Sequence, residues 1–192
     1  MPGPKPPFPP VSDAEPIRLS GKLVTLRPFR ADELSAVWRN SRGERGHESA
    51  PSARERATWL ERVTARGAFV EERIDLAIDA DGRLIGEIEA RRCDKAMPPG
   101  VYELGIALFQ EGSRRRGFGS EAIGLLASLL FDRHDAGRVQ ASTAITNDAM
   151  RRSLEKSGFR DEGTMHAYMP GPDGREDYEM YSLTRAEWEA RK

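Results

Sequence analysis

The residues best suited to chemistry lie in one run from Glu103 to Ala122, ELGIALFQEGSRRRGFGSEA. A strand pattern there passes through a basic glycine loop straight into an apolar-faced helix. Gly117 and Gly119 remove the Cβ atoms that would keep backbone amides from converging. The helix start adds unpaired N–H groups and the positive end of its dipole. Such a cradle suits a pyrophosphate. No Gly-Lys-Ser/Thr follows, so the order is not that of a nucleoside-triphosphate loop. Ala122 stands where a dinucleotide fingerprint has its third glycine, and no ribose-binding acidic strand follows. Taken alone, the same residues also read as an ordinary glycine turn beside a solvated arginine run.

A second constellation follows the next β-prone stretch, where Asn147 opens a helical pattern that closes on Gly158-Phe159. Other reactive side chains are sparse. Cys93 is the single cysteine, with no helper near it in sequence; it reads as structural rather than nucleophilic and fits a reducing compartment. His47, His134 and His166 lie far apart with no metal-ligand spacing, so no metal site is expected. Tyr102, Trp38, His47 and His166 read as packing or capping residues before catalytic ones.

The elements that must position these residues are legible from periodicity. Six of the first ten residues are proline, so residues 1–16 read as a disordered Pro-rich arm and 17–192 as one domain. A strand over 23–27 ends at Pro28. Helical patterns follow over about 32–38 and 53–65. Strands are expected over 74–79 and 84–91 about an Asp81-Gly82 turn, and over 102–108. Residues 120–131 form a broad-faced helix, 139–146 a strand, 148–157 a helix, and two strands flank the turn at 170–174. The resulting fold class is α/β or α+β on one central sheet.

With 192 residues the chain suffices for one domain with a substantial core. Its 30 basic and 31 acidic side chains give no global field toward nucleic acid or an anionic membrane. The longest mostly apolar run, 122–131, is half of the ~20 residues a membrane span needs. No nucleic-acid or membrane partner is expected, and the reading is of a cytoplasmic protein.

In order and spacing, these motifs together resemble the GNAT superfamily of acyl-CoA-dependent N-acyltransferases. Within it the chain is similar to the ribosomal-protein-alanine acetyltransferase (RimJ/RimL-like) group over about residues 17–190. The matching features are Leu26-Arg27-Pro28, Trp59-Leu60, Glu103-Leu104-Gly105, the loop with Glu121-Ala122, Asn147 to Gly158-Phe159, Asp173-Gly174, Asp177, Tyr181-Ser182-Leu183 and Glu187-Trp188.

The resemblance implies a central mixed, mostly antiparallel twisted sheet of about seven strands, split between the fourth and fifth, with about four helices. It places acetyl-CoA, or another short acyl-CoA, in that split. The pantetheine pairs with Ile106, Ala107 and Leu108. Backbone amides over Arg114, Arg115, Arg116, Gly117, Phe118, Gly119 and Ser120 hold the pyrophosphate, with the arginines balancing its charge, and Asn147 bonds the pantetheine arm. The reaction is direct attack of an amine on the thioester. Glu103 is the candidate base, its other reading being a solvent-facing residue or an arginine partner.

The chain departs from the pattern at Met150 and Leu154, where the group and other branches carry a serine or tyrosine as thiolate acid. Water, Ser153 or Tyr102 would then serve, and a non-catalytic acyl-CoA-binding domain stands as the alternative. The acceptor is expected to be a small-molecule amine or a protein N-terminus. It would meet the loop over 40–51 and the hairpin over 168–178. The stretch 161–179 holds six acidic side chains against Arg175 alone, which would suit a cationic acceptor, although for most of these side chains a solvated hairpin is the stronger reading. A homodimer is compatible with this reading.

Overall fold

A computed structural model describes residues 16–43, 52–70, 72–92, 98–113 and 115–192. Most of the Pro-rich arm, much of the 40–51 loop with His47, Cys93 and Arg114 lie outside the described residues.

The described chain runs β1 (Leu19–Ser20), β2 (Thr25–Arg27), α1 (Leu34–Gly43), α2 (Ala53–Thr64), β3 (Arg73–Ala80), β4 (Arg83–Arg92) and β5 (Val101–Leu108). It continues with α3 (Phe118–Arg133), β6 (Arg138–Ala144), α4 (Asp148–Lys156), β7 (Arg160–Gly171), β8 (Gly174–Thr184) and α5 (Arg185–Glu189). The strands form one eight-stranded sheet in the order β1-β2-β3-β4-β5-β6-β8-β7. Only the β5–β6 pair is parallel. The expected fold class holds, with one strand and one helix beyond the expected number. β1 is two residues long and too short to show alternation. The five-residue α5 rests on a capping box between Thr184 and Glu187.

Local chemistry explains the boundaries. Asp81 (φ 53) and Gly82 (φ 78) both adopt the left-handed conformation that a tight two-residue hairpin turn requires, joining β3 to β4. Ser52 and Glu55 cap α2 reciprocally. The Asn147 side chain accepts the Met150 N–H at 3.1 Å and starts α4.

The core lies between one face of the sheet and the α3/α4 layer. Ile74, Leu76 and Ile78 of β3, Tyr102 and Leu104 of β5, Val139 and Ala141 of β6, and Tyr181 and Leu183 of β8 pack there with Ile123, Leu126, Leu130 and Leu154. Strand alternation sends the intervening residues to the other face. That face is charged. Arg27 joins Glu33 and Asp79, Arg62 and Arg73 meet Asp75, Arg73 also meets Glu89, Arg91 pairs with Glu103, and Arg138 pairs with Glu162.

β5 and β6 pair only from Val101↔Arg138 to Glu103↔Gln140. Beyond that rung β5 continues against β4 as far as Leu108, and β6 continues against β8 as far as Ala144. The sheet therefore forks, and the C-terminal halves of β5 and β6 leave backbone groups facing a gap. This is the split expected between the fourth and fifth strands.

Candidate functional site

The fork opens into a cleft of about 820 Å³. Ile106, Ala107 and Leu108 line it on the β5 side; Thr146, Asn147, Ala149, Met150, Arg152, Ser153 and Lys156 line it on the α4 side. Ser113, Arg115, Gly117, Gly119, Ser120 and Ile123 line it around the start of α3. Eight of the residues expected to bind a cofactor thus meet around one cavity: Ile106, Ala107, Leu108, Arg115, Gly117, Gly119, Ser120 and Asn147.

The loop end gathers backbone N–H groups and cationic side chains, a set of donors that an anion would fit. Arg115 (φ 60) and Gly117 (φ 85) are both left-handed, so successive peptide groups turn their N–H groups together. The first backbone bond of α3 runs from the Glu121 N–H to the Gly117 carbonyl at 3.0 Å, which leaves the amides of Phe118, Gly119 and Ser120 ahead of the ladder. Arg115, Arg152 and Lys156 bring three cationic side chains to the wall.

Arg116 and Phe118 sit differently from the other expected binding residues. The Phe118 ring is buried in the core, and the Arg116 guanidinium lies 4.7 Å over it. Neither residue lines the cleft, although the Phe118 amide is among those ahead of the α3 ladder. Conversely, Arg152, Ser153 and Lys156 face the cleft with Ala149. They occupy a stripe at helical spacing (149, 152, 153, 156) whose small and cationic residues were readable from the sequence as one surface.

Glu103 lies on the last paired rung before the fork, opposite Gln140, with its side chain 20% exposed. Arg91 Nη2 donates to its Oε1 at 2.6 Å, so the carboxylate is an arginine partner and stands outside the cleft wall. Next to it Gln140 is buried; its Oε1 accepts from Arg138 Nε at 3.0 Å, and its Nε2 has no partner among the described residues.

The alternatives for a thiolate acid separate clearly. Tyr102 is 1% exposed; its hydroxyl donates to the His134 carbonyl and accepts from Arg92, so it serves the core. Leu154 is fully buried. Ser153 Oγ donates to the Ala149 carbonyl and lies 3.7 Å from where a Cβ on Gly119 would stand, at the end of the cleft beside the start of α3. Met150 lines the cleft, where it offers no proton.

Much of the acidity of the 161–179 stretch is consumed internally. Arg138 and the Ser182 hydroxyl hold the Glu162 carboxyl at about 2, with the Arg138 bond the largest influence. Arg151 pairs with Glu179. Asp177 accepts from the Ala167 N–H at 2.7 Å and pairs with His166 Nδ1 at 2.9 Å, and these partners lower its pKa in that order. Three of the six acidic side chains, Glu162, Asp177 and Glu179, are therefore engaged by Arg138, His166 and Arg151. Trp38 packs edge-on against Trp59 with ring centres 4.7 Å apart.

Among the described residues no group of three potential ligands could hold a metal ion, and no helix is long and apolar enough to cross a membrane.

The family described as "Acetyltransferase (GNAT) domain" matches residues 24–160. No curated protein matches the chain in sequence. Among solved structures, the chain is similar to a GNAT-family acetyltransferase from Bacillus anthracis, with 18% identity and a TM-score of 0.69 over 88% of this chain and 99% of that one. Mycobacterium smegmatis RimJ, solved with CoA-disulfide, shows 18% identity and a TM-score of 0.68 over 92% and 95%. The aminoglycoside acetyltransferase AAC(6')-Ib, solved with coenzyme A, shows 21% identity and a TM-score of 0.65 over 88% and 99%.

Proposed function

The chain belongs to the GNAT family of acetyltransferases, whose members use acetyl-CoA, and from that premise we propose that the forked cleft of this enzyme transfers an acetyl or other short acyl group to a primary amine. The observation that carries the assignment is the convergence of the free β5 edge, the α3 N-terminus and three cations on one cavity. The pantetheine amides pair with Ile106, Ala107 and Leu108 as an added strand would, and Asn147 faces them from the opposite wall. The pyrophosphate takes the amides at the start of α3, and Arg115, Arg152 and Lys156 balance its charge.

In the reaction the amine nitrogen bonds to the thioester carbon, the C–S bond breaks, and the amine proton is lost as the thiolate gains one. No covalent enzyme intermediate is required. We propose that Glu103, steadied by Arg91, accepts the amine proton through water at the fork. The thiolate takes its proton from water beside Met150; a leaving thiol with a pKa near that of cysteine, about 8.5, needs little further help. The acceptor is a small-molecule amine or a protein N-terminus, consistent with similarity to both RimJ and an aminoglycoside acetyltransferase. We place the chain in the RimJ/RimL-like group on its sequence motifs and in the cytoplasm on its lone cysteine.

The test is calorimetric titration with CoA together with thiol release from acetyl-CoA and succinyl-CoA against a panel of amines and N-terminal peptides. CoA binding with turnover of at least one amine is expected; absence of CoA binding overturns the reading.

Two substitutions examine the chemistry. Glu103→Gln lowers turnover by on the order of tenfold, less than full general-base catalysis provides because Arg91 shares the carboxylate, and leaves CoA affinity within twofold. Wild-type turnover across pH returns Glu103 to its ion pair alone. Met150→Ser keeps CoA affinity and raises turnover by less than about tenfold, since water already delivers the proton. A Met150→Ser protein with a larger gain shows instead that thiolate departure limits the native enzyme.

A further inference from the structure

Glu121 presents a contradiction at first sight, because a carboxylate stands in the first turn of a helix whose start is offered to an anion. Its geometry resolves this. Oε1 accepts the Lys22 N–H at 2.8 Å, and Oε2 accepts the Leu23 and Val24 N–H groups, each at 2.7 Å. One side chain thus collects three consecutive amides of the β1–β2 loop, nearly a hundred residues away in sequence. Burial opposes its charge, but these N–H groups outweigh that and hold the carboxyl below its ordinary range. It stays ionised, and its charge is spent on the loop.

The loop is shaped for this grip. A Cβ on Gly21 would stand 2.5 Å from the Glu121 Cδ and Oε2, so only glycine lets the carboxylate settle there. Leu23, held by the same carboxylate, is 46% exposed, and its Cδ1 lies 3.2 Å from where a Cβ on Gly117 would stand. Leu23 therefore braces the left-handed Gly117 from the side that lacks a side chain. Lys156 Nζ lies 3.9 Å from the same point.

We propose that Glu121 is a positioning residue for the phosphate-binding end of the cleft, acting through the Gly21–Val24 loop and the seat of Leu23 on Gly117. This rests on the acyl-CoA reading of the cleft. Glu121 is not among the residues lining the cleft; it fixes the loop that fixes the glycine turn, so the amides of the turn are set before the pyrophosphate arrives.

The experiment measures CoA affinity by calorimetry, which needs no acceptor, for Glu121→Gln, Leu23→Ala, Gly21→Ala and the Glu121→Gln/Leu23→Ala double variant. Each single change is expected to weaken CoA binding about five- to tenfold, the scale of one lost hydrogen bond. The double variant should bind no more weakly than the worse single, because both act on one brace. Gly21→Ala keeps the charge and displaces only the grip, so its loss separates positioning from electrostatics. Leu23 is half-exposed, so its truncation leaves the fold intact and carries the test if Glu121→Gln fails to fold. Unchanged CoA affinity in Leu23→Ala and Gly21→Ala, or additive losses in the double variant, overturns the proposal alone. A wild-type protein that does not bind CoA overturns the cleft assignment and this proposal with it.

Discussion

A Gly117→Val protein folds and loses at least about 100-fold in CoA affinity, a loss built from backbone strain of roughly 1–3 kcal/mol and misplacement of the anion-binding amides. Gly117 has φ 85, a conformation that a β-branched residue adopts only under strain. The new Cβ would also meet Leu23 Cδ1 at 3.2 Å, so relief of the strain must move the loop, the turn or both. Every direction of relief shifts the amides of Phe118, Gly119 and Ser120, which gather at the same cradle. Calorimetric titration with CoA, alongside a thermal melt showing a cooperative transition, checks this; a folded variant with wild-type affinity removes the glycine turn from the site.

Arg27→Met destabilises the protein by about 3–5 kcal/mol, the cost of removing the buried cation that Glu33 and Asp79 share and leaving only the half-exposed Arg30 beside them. Arg27 is 6% exposed and donates to Asp79 Oδ2 at 2.8 Å and to both oxygens of Glu33 at 2.8 and 2.7 Å. Asp79 and Glu33 are themselves only 8% and 7% exposed. In the wild type, burial would raise the Glu33 pKa, but bonds from Arg27 and the Arg30 N–H outweigh it and the net shift is downward. A lowered carboxyl pKa contributes stability that is complete above the ordinary value of 4.5 and fades as pH falls through the folded value. Without Arg27 the Glu33 carboxyl keeps its burial and the Arg30 contacts but loses the strongest of its lowering partners, so its pKa rises and the variant recovers part of its deficit as Glu33 takes up a proton. Urea melts at pH 7 and pH 5 check both parts; the gap from wild type should narrow at pH 5, and a gap that widens refutes the account.

What the sequence made legible was local. The Asp81-Gly82 turn, the apolar face of α3 and the glycine loop before it each announce themselves within a few residues, because turn conformation, helical period and helix start are short-range properties. The hairpin turn was equally visible, with Gly171 pairing Gly174 across it. What stayed hidden depends on partners distant in sequence. Nothing near Glu103 says that Arg91 will hold it, and nothing near Glu121 says that the amides of 22–24 will. Tyr102 looked available as a proton donor only because its neighbours, the His134 carbonyl and Arg92, come from other elements. The cationic stripe on α4 is the exception, since its spacing was local and needed only to be read against the loop it faces.

The two outer strands of the sheet bear on how the protein behaves at high concentration. An open strand edge offers a ladder to any passing chain, and long regular edges template fibres. Here β1 is two residues long, too short to serve as a template. β7 spans twelve exposed or partly exposed residues, yet its register against β8 breaks between Asp161 and Gly163 and again between Met165 and Met169. At the second break, three residues face Asp177 alone, Ala167 is turned to φ 49, and Pro170 further on carries no N–H. No long uninterrupted run of outward hydrogen-bonding groups survives on either border. The bulge that Asp177 and His166 hold together thus acts as a guard against aggregation, keeping a sheet with one exposed hairpin from extending itself through its neighbours.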